Sequence, residues 1–395
     1  MESEKKEKQD SLPMTFFKAV GITLLAVGLS LVLFQPFSFS AASLLSTHER
    51  KDFNMTDFYN IVADSRLVRD LDRDIVLINI DDTDRDDITE LLRIIPMCEP
   101  RLIGLDVTFN VPRVGDSMLI AAIRNCPNLV QVAVVDYISG DDQAPFRLGE
   151  RSYFYDSISY MPHGAANLPV KFEGASVREF PVWFDMPFGK RFPSFPVALA
   201  LQIDSAAVAR LEARGNQREL IDYPSRTYEV IDWRDIIDNV DHLKGKIVLL
   251  GAVSEEADFH RTPVRDRMAG IEIHARALGT ILRGDYLTKV SDTVNMAIAC
   301  LLCFLLAVAH LRIPVSFKAF LLRILQFGLL FLIIHIGYWL FVGYRIIVDL
   351  SYTLLMLTFL LFACDIWIGF PGMLRWIWEK IGKLKKKKIK DETES

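Results

Sequence analysis

Three groups of residues in this chain have the types and spacing that could do chemistry. In the run DDTDRDD, Asp82, Asp84 and Asp86 fall on the first, third and fifth places of a calcium-binding loop. The sixth place, which needs glycine, is Asp87, and the twelfth, which needs a bidentate glutamate, is Arg93. Calcium chemistry of that kind is therefore excluded, and Thr83 or Asp84 is expected to cap a helix whose first turn welcomes the later acids. Asp81 and Asp82 then remain at the carboxyl end of one expected strand, with Asp106 near the same end of its expected neighbour. Ligands of open α/β sheets bind outside those ends, so the three carboxylates form a candidate acidic crevice.

The second group is Glu272 and His274 in MAGIEIHARALGTILRGDYL. Residues two apart on a helix point away from each other, so the pair is not expected to share one ligand or to act as a catalytic dyad. Glu272 suits the first helical turn and an ion pair with Arg276 four residues on. His274, on the side of Leu278 and Ile281, is expected to be partly buried, and with nearby His260 it is a candidate ligand- or pH-sensing group. The third group is Cys98 and Cys126, each at a helix end just before a parallel strand, and so a candidate disulfide that would stabilise by about 3–4 kcal/mol. No nucleophile elbow, phosphate-binding glycine loop or Cys/His metal spacing occurs. No catalytic residue, metal or cofactor is expected.

The elements that must position these groups are legible in the apolar pattern. DIVLINI (74–80), RLIGLDVTF (101–109), NLVQVAVV (128–135) and GKIVLLGAV (245–253) are buried strands alternating with helices around 88–95, in SMLIAAIRNC and from 270. Such alternation predicts a mainly parallel sheet with right-handed crossovers. Segment 136–190, rich in Gly, Pro and aromatics, is expected as a β-rich insertion. A short helix capped by Thr56 leads in, and another opens at Pro193 or Ser194.

The chain is 51% hydrophobic and yet 24% charged, so its apolar residues must be segregated. They form runs at 14–34, 293–311, 324–342 and 350–370, each near the ~20 residues that cross a bilayer. Four transmembrane helices follow, one before and three after a large domain at 41–290. Lys5, Lys6, Lys8 and Lys18 before or within the first, Arg312, Lys318 and Arg323 after the second, and the basic tail 371–395 with Arg375, Lys380, Lys383 and KLKKKKIK after the fourth place those segments in the cytoplasm. The 1–13 tail is cytoplasmic as well, and the domain lies outside. A cleaved leader, with SFSAAS as its small-residue stretch, is the alternative for the first span. The basic tail is expected to touch anionic lipid and not nucleic acid. His335 and Asp365 within the spans are expected to serve packing or to snorkel, since their depths do not suit a proton relay.

In order along about 60–290, IVLINIDD, LLRIIPMCEPRLIGLDVTF, GAANLPV, FPSFPVALA, LKGKIVLLGAV, HRTPV and GIEIHARALGTILRGDYL resemble the CHASE type 2 domain, an extracellular sensory domain of bacterial receptors. One span before the domain and three after it match that family's layout. TDRDDITELL replaces the Trp/Pro-rich stretch the family often carries there, so nothing about Asp82 is carried over. The resemblance implies a plasma-membrane sensor with an unknown extracytoplasmic ligand or protein partner, a homodimer as the usual assembly, and no catalytic residue. About 25 residues follow Phe370, too few for an output domain, so a separate signalling protein is expected to receive the signal. Two other classes stand beside this reading: a scaffold whose domain docks another protein, and an enzyme built on Asp81, Asp82 and Asp106.

Overall fold

The computed structural model describes residues 11–34, 52–68, 70–137, 146–170, 174–224, 226–254, 258–313 and 318–393. Lys5, Lys6, Lys8 and SFSAAS lie outside them. The chain divides into two compact units, one of Thr56–Thr288 and one of Met1–Met55 with Lys289–Ser395.

In the first unit α2 (Met55–Arg66) leads into β1 (Asp70–Asn79), α3 (Arg85–Ile94), β2 (Leu102–Leu105), α4 (Asp116–Asn125) and β3 (Leu129–Ala133). The insertion follows as β4 (Val135–Tyr137), β5 (Phe146–Leu148), β6 (His163–Ala165), β7 (Glu179–Pro181), β8 (Trp183–Met186) and β9 (Lys190–Pro193). Then come α5 (Phe195–Ile203), α6 (Ser205–Glu212), β10 (Arg218–Leu220), β11 (Arg226–Asp232), α7 (Val240–Leu243) and β12 (Ile247–Gly251). The unit closes with β13 (Phe259–His260), β14 (Met268–Ala269) and α8 (Gly270–Arg283), and β15 (Thr288–Lys289) leads onward.

The central sheet has the order β11-β1-β12-β2-β3-β6, and every neighbouring pair in it is parallel. Alternate side chains of each inner strand enter different cores, as the two-residue period of a strand dictates. Ile75, Leu77, Ile247 and Leu249 pack with α5, α6 and α8 on one face. Val76, Ile78, Val248 and Leu250 pack with α3, α4 and α7 on the other. Strands buried on both faces read as unbroken apolar runs, which is why β1 and β12 stood out in the sequence.

The order corrects one expectation. β1 and β2 are not neighbours, because β12, whose five residues are all buried, lies between them. The most apolar strand takes the centre although it comes last, and the carboxyl ends of β1 and β2 are held apart by its width. α2 begins at Met55, so Thr56 lies in its first turn and does not cap it. Ser194 does stand at the N-cap of α5. In the insertion β4-β5 and β8-β9 are antiparallel pairs and β7 pairs antiparallel with the later β10, while β6 joins the central sheet in parallel beside β3.

The second unit holds α1 (Leu12–Phe34), α9 (Asp292–Arg312), α10 (Lys318–Tyr344), β16 (Ile346–Ile347) and α11 (Ser351–Thr393). Leu12–Val32, Asp292–Arg312, Phe320–Tyr344 and Ser351–Ile381 are long and apolar enough to cross a membrane. α1, α9 and α11 pack on one another. At Gly21 of α1 a Cβ would stand 2.3 Å from the Trp367 ring of α11, so only glycine admits that approach. α11 runs through Pro371 instead of stopping at 370. His335 and Asp365 are exposed on α10 and α11, with the His335 ring tilted against that of Phe331 at 4.4 Å, and neither faces the packed interior of these helices.

Candidate functional site

The acidic run resolves first. Asp84 caps α3 by accepting from Asp86 N and Asp87 N, and the Asp87 carboxylate accepts from Asp84 N at 2.9 Å, a reciprocal capping box. Asp81, just beyond β1, accepts from Val253 N at 3.2 Å, from Ser254 N at 2.8 Å and from the Ser254 hydroxyl. Its carboxylate is thereby used to tie the chain leaving β12 to the end of β1. Asp82 is 82% exposed, with the Arg234 guanidinium 4.0 Å away.

Asp106 has a different environment. It follows β2 directly, its backbone N–H donates to Leu250 O at 2.9 Å, and none of the described residues donates a hydrogen bond to its carboxylate. Burial, reinforced by the nearby Asp258 carboxylate, pushes its pKa up to about 7. Asp258 precedes β13, a two-residue strand paired antiparallel with β14, which runs straight into α8. This ribbon brings Asp258 to the start of α8. The helix opens on Ala269, which has no side-chain cap, and Asp258 Oδ2 accepts from Gly270 N at 3.2 Å in its place. A Cβ at Gly270 would stand 2.8 Å from Asp258 Oδ1, so the glycine makes room for the carboxylate. His260 Nε2 lies 3.8 Å from that same Oδ1.

His274, one turn into α8, is 2% exposed, and its ring meets Phe195 edge-on at 5.4 Å. One ring nitrogen bonds the backbone of Ala166, while Nδ1 is buried with no partner. Burial lowers the pKa of His274 to about 4, with Asp258 opposing the shift and His260 adding to it. The imidazole is thus neutral at pH 7.

Asp258 is thus linked to three of the five predicted positions: His260 lies 3.8 Å from it, and its charge bears on Asp106 and on His274. Asp258 was missed, although ADFHRTP places it two residues before His260, the spacing that sets both on one side of an extended chain. Glu272 turns the other way, as its spacing from His274 requires. It accepts from Arg276 Nη2 at 2.8 Å and from Arg265 Nη1 at 3.2 Å. Arg276, 1% exposed, also donates to the carbonyls of Tyr223 at 2.5 Å and Arg226 at 2.7 Å. At the far end of α8, Arg283 donates to Asp72 of β1 at 2.9 Å and to Asp285 at 3.1 Å.

The disulfide expectation is corrected. Cys98 and Cys126 are both free and buried in one core cluster. Burial raises both thiols, Cys126 to about 12, which keeps them protonated and inert.

The sheet, the flanking helices and the α8 stretch together invite comparison with known families, and the model of the CHASE2 domain matches residues 24–309. The chain belongs to the CHASE2 domain family. That match begins within α1 and ends within α9, so it takes in the first two apolar helices as well as the α/β unit. Comparison with curated proteins and with solved structures finds no match. A CHASE2 domain is sensory, and with four apolar helices this CHASE2 chain is a multi-pass membrane protein.

Proposed function

We propose that this CHASE2 protein is a bacterial plasma-membrane receptor whose α/β unit lies outside the cytoplasm. It binds a signal at the Asp106, Asp258, His260 and His274 crevice and passes it through the membrane helices to a separate partner. The observation that carries the reading is the buried, unpartnered Nδ1 of His274, one turn into a helix whose first residue is held by the Asp258 carboxylate, in the segment that follows β12 of an open parallel sheet. Folded proteins pair their buried polar atoms, and an unpaired one leaves work for a ligand to do.

Flanking charge supports the orientation. Arg312 and Arg323 bracket the short link between the second and third spans, and Arg375 and Lys380 follow the fourth, the pattern of cytoplasmic segments. His335 supports an intramembrane partner, since an imidazole on the outward face of a span is costly in lipid and gains from a covering helix. A signal moves such a bundle only if it binds two of its states with different affinity.

The test is a photo-crosslinking residue at Leu332, an exposed position one turn from His335. The receptor reading expects an adduct in living cells whose yield changes with Asp106→Asn. An adduct that forms equally in both chains would make the protein a scaffold.

A further inference from the structure

We propose that the cavity between α1 and α11 in the membrane unit holds an anionic phospholipid with a hydroxyl on its headgroup, its acyl chain in the cavity and its phosphate between Lys18 and Arg375. The site belongs to the membrane helices alone, so it stands whether or not the chain is a receptor.

The cavity has a volume of about 490 Å³ and is lined by Leu25 of α1 and by Ile366, Trp367, Phe370 and Pro371 of α11. That volume falls within the ~300–1,000 Å³ of ligand sites, and as in such sites the lining is aliphatic and aromatic. Whatever part of a ligand enters it must be apolar. Trp367 and Phe370 are 40% and 48% exposed, so the cavity opens sideways towards the bilayer and is not sealed within the bundle. Its wall is fixed by the close approach of the two helices at Gly21, which leaves the Trp367 ring no room to turn towards α1.

One polar group accompanies this apolar lining. Pro371 stands inside α11 and has no N–H, so the carbonyl of Trp367 one turn before it lacks its helical donor. In hydrocarbon an unsatisfied carbonyl is costly, and a hydroxyl on the occupant satisfies it.

Charge decides what else the occupant carries. Lys18, Gly21 and Leu25 follow one another at i, i+3 and i+7 on α1, and Trp367, Pro371 and Arg375 at i, i+4 and i+8 on α11, so each helix has a cation on the stripe that borders the cavity. The first and fourth of four spans cross in opposite directions, so Lys18, near the start of α1, and Arg375, beyond Pro371, lie towards the same side of the membrane. Arg375 is exposed and makes no ion pair among the described residues. Two cations at one end of an apolar cavity match a phosphate at the end of an acyl chain, joined by charge-assisted hydrogen bonds.

Other occupants fit less of this. A choline headgroup brings its own cation and no donor for the Trp367 carbonyl. An ionised fatty acid has the charge and the chain but again no donor. A helix of another protein would bring a cytoplasmic flank rich in Lys and Arg and so set like charges beside Lys18 and Arg375. Phosphatidylglycerol combines chain, anion and hydroxyl, and its binding involves no covalent step.

The experiment is fluorescence quenching of the full-length chain in vesicles, with Trp183, Trp233, Trp339, Trp376 and Trp378 changed to Phe so that Trp367 alone reports. The vesicles are phosphatidylcholine with an increasing share of phosphatidylglycerol, and one of the two lipids carries brominated acyl chains, which quench tryptophan on contact. A chain that keeps only Trp339, 59% exposed on α10, is the reference for lipid that merely surrounds the protein. Trp367 should report a preference for phosphatidylglycerol of about tenfold or more, and Trp339 one below about twofold, since each nearby cation contributes about fivefold. Lys18→Gln and Arg375→Gln should each lower the preference at Trp367 by about fivefold, with quenching by brominated phosphatidylcholine retained as the sign of an inserted chain. Phosphatidylmethanol, which has the same charge and no hydroxyl, should bind about threefold more weakly than phosphatidylglycerol, and Pro371→Ala, which returns an N–H to the Trp367 carbonyl, should remove that difference. Equal preference at Trp367 and Trp339 would leave only surrounding lipid, and quenching of Trp367 by neither lipid would mean a cavity closed or filled by a protein helix. A preference unchanged in both charge variants would remove the phosphate contacts, and equal binding of phosphatidylmethanol by the parent chain would remove the hydroxyl. Each of these results overturns the proposal.

Discussion

Asp81 and Asp106 stand at the same end of one sheet, on strands either side of β12, and their surroundings have opposite character. Asp81 accepts from two backbone amides and a hydroxyl, and its charge is spent on holding the chain that leaves β12. Asp106 has no donor among the described residues, and the Asp258 carboxylate bears on its charge. A strand-end carboxylate becomes architecture when the neighbouring loop turns its N–H groups inward, and a site when it does not. Helix α8 repeats the contrast over two residues, with Glu272 held by Arg265 and Arg276 while His274 keeps an orphan nitrogen.

If this division is right, substitutions on the architectural side should cost stability and those on the other should cost little or help. The largest loss is expected from Glu272→Ala, which strands the buried Arg276 guanidinium without its carboxylate, at about 3–5 kcal/mol. The yield of folded protein after detergent extraction checks it. Asp81→Ala should cost about 1–3 kcal/mol, because the amides of Val253 and Ser254 lose their acceptor, and it should raise hydrogen exchange at those two positions. A stable Asp81→Ala chain with unaltered exchange would break the contrast at its first term.

Asp106 and His274 should reveal themselves through pH. The folded pKa of Asp106, about 7, lies above the unfolded ~3.9, so its contribution is full below ~3.9 and is lost as pH rises through about 7. The folded pKa of His274, about 4, lies below the unfolded ~6.5, so its contribution is present above ~6.5 and is lost as pH falls through about 4. Between pH 4 and 7 the two oppose each other, and the parent chain should show a shallow dependence. Asp106→Asn should leave a domain that weakens towards acid, and His274→Asn one that weakens towards base. Urea midpoints read from Trp183 and Trp233, with the four tryptophans of the membrane segments changed to Phe, would measure both slopes. The smallest effect belongs to Asp82→Asn, which should shift the midpoint by less than about 0.5 kcal/mol, since Asp82 is exposed and its ion pair is long.

The sequence carried the parallel α/β plan, the insertion and all four apolar helices, because each rests on local periodicity that burial enforces. It carried the capping role of the 81–87 acids and the Glu272–Arg276 pair for the same reason. What it did not carry was strand order. β1, β2 and β3 follow one another in the chain, and nothing local says that β12, more than a hundred residues later, will part the first two. The pairing of Asp81 with Asp106 failed with that adjacency. Asp258 escaped notice because its partners, Gly270 and Asp106, reach it only through the β13-β14 ribbon and the sheet order, and two-residue strands leave no periodic trace. The cysteines were judged from their places at helix ends, and that placement says nothing of how far apart two sulfurs end up within one core.

The two guanidinium anchors of α8 restrict the mechanics of the domain. Arg276 is fastened to the carbonyls of Tyr223 and Arg226, and Arg283 to Asp72 on β1. Rotation of the helix about its own axis would pull buried hydrogen bonds apart at both points. At 14 residues α8 is a rod of about 21 Å, and Asp292, the first residue of α9, lies only eight residues past Gly284. A helix fastened at two points along its length is held as one piece with the strand and loops that fasten it.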